Sequence, residues 1–277
     1  MQFNPRACGA LLVVSVVAVS SPVSATSEPP ATSDGFTDLL TMVPADAVSA
    51  DGVVITYTDM ALLWERVGAG PGEASRLDAL GELAVRETFG IPPQLFGNRV
   101  AQVDEARAEV GFSALEIDRE LAVMAPPRHI FIDVTSVPPD SIDAAIESNP
   151  LWADRAMRVE SEHGQYVDWG DGREVDPAAI SPFRPLGQAG QLAILGNPAT
   201  AVRTLDAADA EAVLATAAGA GESALTTDVL GPIDEVLADE VVMQAMIQPG
   251  PTLFAPPLSA SAEQIAAIME QAVLVQP

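Results

Sequence analysis

The chain has 277 residues, with 39 Asp and Glu against 13 basic side chains, all of them Arg, for a formal net charge of −26. That balance excludes a nucleic-acid binder, which needs clustered Lys and Arg to neutralise phosphates, and it opposes adsorption to anionic lipid. At 48% apolar residues the chain is no disordered acidic tail. A single cysteine, Cys8, forbids an internal disulfide and a multi-cysteine zinc site.

The first 25 residues read as an export signal. Arg6 is their only charged side chain and precedes the apolar run Ala10–Val19. A run of about ten residues suits the core of a leader and falls short of the roughly 20 that a membrane-spanning helix needs. Val23 and Ala25 are small residues at the −3 and −1 positions of a cleavage site before Thr26. Cys8 lies before the apolar run, the wrong order for lipid attachment. Residues 26–35 are a polar, Pro-containing linker, and 36–277 are expected to form a single α+β globular domain with no transmembrane anchor.

In chain order, Phe36–Met42 is a short helix. Val53–Thr58 is a β-branched strand, and Thr58 or Asp59 caps a helix over Met60–Val67. Ser75–Thr88 and Asn98–Val110 are helices by apolar spacing, and Ser113 opens another over Ala114–Leu121. After Pro126-Pro127 comes the strand His129–Val134, then a helix from Asp140 or Ser141 to Ile146. Arg158–Glu160 and Gln165–Trp169 are strands around a His163-Gly164 turn. Leu192–Leu195 is a short buried strand, with Gly196-Asn197-Pro198 as its turn. Helices are expected over Pro198–Asp206, Ala210–Ala218 and within Gly231–Ile247, and Ala260–Val275 is amphipathic. This irregular alternation predicts an α+β fold with a mixed or antiparallel sheet. The strand–turn–helix runs beginning at Val54 and His129 suggest two related halves.

Several segments in order resemble a loose group of uncharacterised exported bacterial proteins of the actinobacterial and Chloroflexi type. They are Val43–Asp46, Thr56–Asp59, Gly111–Asp118, Pro126-Pro127, Tyr166–Gly170 and Leu192–Pro198, spread over residues 43–206. The resemblance implies an exported α+β protein and brings no activity and no site residues.

The sequence offers little chemistry. It has no Gly-x-Ser-x-Gly elbow, and cleavage after Ala25 removes Cys8, so no cysteine nucleophile remains. His129 opens a strand and His163 sits in a turn, neither in a catalytic or HExxH motif. The richest oxygen cluster is Asp168, Asp171, Glu174 and Asp176. Its spacing does not match an EF-hand loop, and Tyr166–Val175 is expected to be a hairpin turning at Gly170-Asp171-Gly172. Gly68-x-Gly70-x-Gly72 follows a helix rather than a strand and reads as a helix stop, and Gly187-x-x-Gly190 reads as a loop. Asp104-Glu105 and Asp239-Glu240 read as solvated helix faces.

No catalytic, cofactor-binding or metal-ligating residue is therefore assigned, and no cofactor is implied. The leading expectation is an exported, non-catalytic binding module whose partner is a cell-envelope component or another protein. The alternative is a secreted hydrolase working with acidic residues and a divalent cation, and a third class is a calcium-stabilised structural module. Export has a direct readout: mass spectrometry of the secreted protein should find Thr26 at its N-terminus, and recovery of only full-length cytoplasmic chain would contradict the leader.

Overall fold

The structure is a computed structural model describing residues 12–18, 35–49, 52–70, 75–77, 79, 102–153, 155–184, 186–228, 230–233, 242–249 and 273–275. Its frame is one ten-stranded sheet in which every neighbouring pair is antiparallel, ordered β10-β1-β9-β2-β3-β4-β8-β7-β6-β5. The strands are β1 Leu12–Ala18, β2 Val54–Asp59, β3 Ile117–Ala125, β4 Arg128–Thr135, β5 Met157–Ser161, β6 Gly164–Asp168, β7 Gln191–Leu195, β8 Ala199–Thr204, β9 Val242–Pro249 and β10 Val273–Val275. The helices that bear on the argument are α1 Gly35–Leu40, α2 Met60–Arg66, α3 Val103–Val110, α4 Pro139–Ser148, α5 Pro150–Ala153 and α6 Ala207–Ala217. This is the α+β class with an antiparallel sheet that the sequence predicted.

Both faces of the sheet are covered. On one, Ile55, Tyr57, Leu121, Val123, Ile130, Ile132 and Val202 pack against Phe36, Leu39 and Leu40 of α1 and Ala210, Val213 and Leu214 of α6. On the other, Ala122, Phe131, Val167, Leu192 and Ala201 meet Ala106 and Val110 of α3, Ile142 and Ile146 of α4, and Trp152. Burying each large apolar side chain contributes about 1.5–3 kcal/mol. Arg128, at the start of β4, ties two outlying segments to the sheet by pairing with Asp46 at 2.8 Å and with Asp209 of α6 at 3.0 Å.

Local signals placed several elements correctly. Asp59 caps α2 by accepting the Leu62 N–H at 2.9 Å, and Asp206 caps α6 through the Ala208 N–H. β5 and β6 pair around the His163-Gly164 turn. The strand–turn–helix unit occurs three times, as β2–α2, β4–α4 and β8–α6.

Two readings need correction. Ser113 and Glu116 form a capping box, but the helix it opens is a single 3-10 turn, Ala114–Glu116. The chain then runs into β3, where pairing with β2 and β4 overrides the helical start. Pro198–Asp206 is not helical, since β8 leaves the Gly196–Pro198 turn to pair with β7 and β4. Within Gly231–Ile247, where a helix is expected, residues 231–233 are helical and 242–247 belong to strand β9, Val242–Pro249. A Val- and Met-rich run buried on both faces lacks the period that separates helix from strand. Leu12–Ala18, inside the apolar run of the expected leader, pairs as strand β1 between β9 and β10. Val13, Val14, Val16 and Val17 are β-branched, so the run suits a strand as well as a leader. Most of the helix expected over Ser75–Thr88, residues 98–101 of the one before Val110, Asp239-Glu240 and all of Ala260–Val275 except β10 lie outside the described residues.

Ile132 has no exposed surface and sits in the central strand β4. Ile132→Asp is expected to cost about 3 kcal/mol or more through an unpaired buried charge, read as a large fall in melting temperature, and an unchanged melting temperature would place Ile132 at the surface.

Candidate functional site

One connection stands out for its length. Between β6 and β7 the chain runs from Trp169 to Gly190 with a single 3-10 turn, Pro177–Ala179, and connections this long inside compact domains are usually functional. It is braced across its own width. Val175 bridges Gln188, the Asp176 N–H donates to the Gly187 carbonyl at 3.0 Å, and the Ala189 N–H donates to the Glu174 carbonyl at 3.3 Å. The expected Tyr166–Val175 hairpin is therefore absent: β6 pairs with β5 and β7, and residues 174–176 pair with 187–189. Gly172 does not have the positive φ such a turn needs; a Cβ there would stand 2.7 Å from the Leu205 Cα, so close backbone approach is what demands glycine.

Glu109, in the last turn of α3, anchors this connection to the helices. Its carboxyl accepts from the Ser181 hydroxyl and from the Phe183 N–H at 3.2 Å. Its backbone carbonyl accepts from the Trp152 indole at 2.9 Å and from the Asn149 amide at 3.3 Å. Burial raises the Glu109 pKa, against these hydrogen bonds and the charges of Arg184 and Arg203. Above the carboxyl, Trp152, Trp169 and Phe183 form an aromatic cluster with ring centres 4.6–6.0 Å apart. The Arg184 guanidinium lies 6.0 Å from the Trp152 ring centre, and burial lowers its pKa.

Outside this cluster opens a cavity of about 630 Å³ lined by Arg155, Trp169, Glu174, Asp176, Arg184 and Ala189, among others. Arg155 and Asp176 close one side with an ion pair at 2.6 Å. The buried Trp169 indole N–H has no hydrogen-bond partner among the described residues. The connection also carries three exposed large apolar side chains, Val175 at 56%, Ile180 at 47% and Leu186 at 60%. Exposed apolar side chains mark interaction sites where they form one patch.

The carboxylates singled out in the sequence do not act together. Asp168 accepts from the Gly170 N–H and the Gln191 amide, Asp171 from the Arg173 N–H, and Asp176 from Arg155 and the Ala178 N–H. Among the described residues, no group of three or more His, Cys, Asp or Glu is placed to hold a metal ion. His129 is half-buried, edge-on to Phe131, with its pKa lowered by burial and by Arg203, and His163 lies in the β5–β6 turn. Asp104 and Glu105 are exposed on α3, as read.

The notable acid pair is one the sequence reading passed over. Glu120 and Asp133 are direct partners across β3 and β4, exposed by only 2% and 0%. They continue a polar row through Thr58 and Gln244. Burial, then the charge of Glu120 and a hydrogen bond shared with it, push the Asp133 pKa well above the usual carboxylate range, with Arg203 opposing. Arg203 is itself buried between the rings of Phe131 and Phe183, with ring centres 5.8 and 5.5 Å away, and burial lowers its pKa to about 10. The available signal was a charge inside an apolar strand, Asp133 in Ile130–Val134 and Arg203 in Ala201–Thr204.

No protein-family model, no curated protein and no solved structure matches the chain.

A carboxyl whose folded pKa is raised stabilises the fold fully below its unfolded pKa, and that contribution is lost as pH rises through the folded value. Asp133→Asn mimics the protonated acid. Its stability relative to wild type should rise from about pH 4 upward, giving a higher melting temperature at pH 8 than wild type and a flatter pH profile, measured by thermal melts across pH. A variant whose deficit or advantage is the same at every pH would show that the Asp133 pKa is not raised in the fold.

Proposed function

We propose that the protein is an exported, non-catalytic binding module that presents the 169–190 connection to a cell-envelope component or another protein. The observation that carries this reading is a cavity and three exposed apolar side chains carried on one braced connection. Trp169 and Arg184 form a firm wall, and Val175, Ile180 and Leu186 offer apolar contacts outside it. A surface already ordered before contact loses little conformational entropy on binding, and aromatic and Arg side chains dominate binding energy at interfaces. Arg155 and Arg184 stand in the lining beside Glu174 and Asp176, so the cavity offers both signs of charge, which favours a partner with a polar group beside an apolar one.

The alternative hydrolase would need carboxyls facing its substrate. Glu120 and Asp133 are buried and do not line the cavity, and of Glu174 and Asp176, which do, Asp176 is paired with Arg155. The exported location rests on the leader pattern. Among the described residues no helix is long and apolar enough to cross a membrane.

A photo-crosslinking side chain placed at Leu186 or Ile180 tests the reading in cells that export the protein. Discrete crosslinked species are expected from these positions and not from the exposed Glu222, outside the connection. Equal labelling from all three positions, or none from Leu186 and Ile180, would contradict a binding surface here.

A further inference from the structure

The two ends of the sheet are built differently. At one end β5 carries Arg158 and Glu160, and Arg158 pairs with Asp143 and Glu147 at 3.0 Å. Charged side chains of this kind protect an open edge from pairing with other strands. Toward the other end, inside β1 and β10, β9 reads Val-Met-Gln-Ala-Met-Ile-Gln-Pro, with no charge over Val242–Pro249. Its protection comes from β1, paired along its length from Leu12↔Pro249 to Ala18↔Val242. Yet β1 is the apolar core of the expected leader, and cleavage after Ala25 removes it whole. The exported chain is then left with an uncharged edge on a strand whose Val242, Ala245 and Ile247 belong to the core.

We propose that, after leader removal, the C-terminal strand β10 moves one place along the sheet and pairs with β9 in the position β1 held. The proposal rests on the export reading. β10 and β9 are both antiparallel to β1, so they already run parallel to each other. They share a row, since Leu274 and Gln248 are both partners of Val13. Parallel neighbours need a connection of about a dozen residues or more, and residues 250–272 exceed that. Cleavage leaves β10 without its β1 partner and β9 with an open edge, so one step satisfies both. A second copy at this edge would have to bring together two chains of large net negative charge. The tethered strand meets the edge at high effective concentration. The C-terminal segment thus becomes a latch that closes on export.

The test uses the protein collected after export, which has no thiol of its own once Cys8 has left with the leader. Leu274→Cys is combined in turn with Gln244→Cys, Met246→Cys and Gln248→Cys. A disulfide needs Cα atoms about 4.4–6.8 Å apart, which adjacent strands provide and strands separated by a third, about 9–10 Å apart, do not. An intramolecular disulfide is expected in at least one pair. A chain ending at Ala272 should exchange its β9 amide hydrogens at least tenfold faster than the chain that retains β10. Disulfide-linked dimers from the single β9 cysteines would assign the edge to a second copy and overturn the proposal. So would failure of every pair to bridge, or β9 exchange unchanged by the deletion. The same mass spectra report the N-terminus, so a retained leader, which overturns the premise, is told apart from an edge that β10 does not fill.

Discussion

The Glu109 carboxyl is the contact on which the arrangement of the candidate site depends. It joins the end of α3 to Ser181 and Phe183, while its backbone carbonyl holds Trp152 and Asn149. A long connection cannot remain in one conformation on its own turns alone, because ordering each residue costs about 1–2 kcal/mol of backbone entropy. Here the cost is shared among the bracing hydrogen bonds of the connection, the packing of its aromatic rings and one buried acceptor that draws Phe183 into the aromatic cluster and sets Arg184 beside Trp152. The cavity follows from that placement.

Beneath the site, Arg203 links it to the centre of the sheet. It lies between Phe183 of the connection and Phe131 of β4, and its charge bears on both Glu109 and Asp133. The polar interior is therefore divided: a hydrogen-bonded acceptor at Glu109 serves the site, and a buried carboxyl pair at Glu120 and Asp133 lies within the sheet. Buried ionisable groups of this sort contribute little net stability compared with apolar substitutes. In this fold they sit in the layer that connects the central strands to the 169–190 connection.

Much of the frame was legible in the sequence because local signals and tertiary demands agreed. Val54–Asp59 and Arg128–Thr135 are β-branched runs beside strong turn or cap residues, and both are central strands. Where the two conflicted, tertiary pairing prevailed. The Ser113–Glu116 capping box announced a helix that the β2 and β4 edges converted to strand after one turn. The candidate site was legible only as composition. Asp168, Asp171, Glu174 and Asp176 draw attention, yet Asp168, Asp171 and Asp176 hold turns in the connection. Glu109, Trp152 and Arg184 lie far apart in sequence, and no spacing rule brings them together. The charges within apolar strands, Asp133 and Arg203, were the one visible clue to the buried polar layer.

Hydrogen exchange of Glu109→Ala beside wild type tests the central claim most directly. The account predicts that amides across residues 170–189 exchange at least tenfold faster in the variant, while those of β2, β3 and β4 keep their protection. Unchanged exchange in the connection would show that its conformation does not depend on Glu109 and would contradict the account.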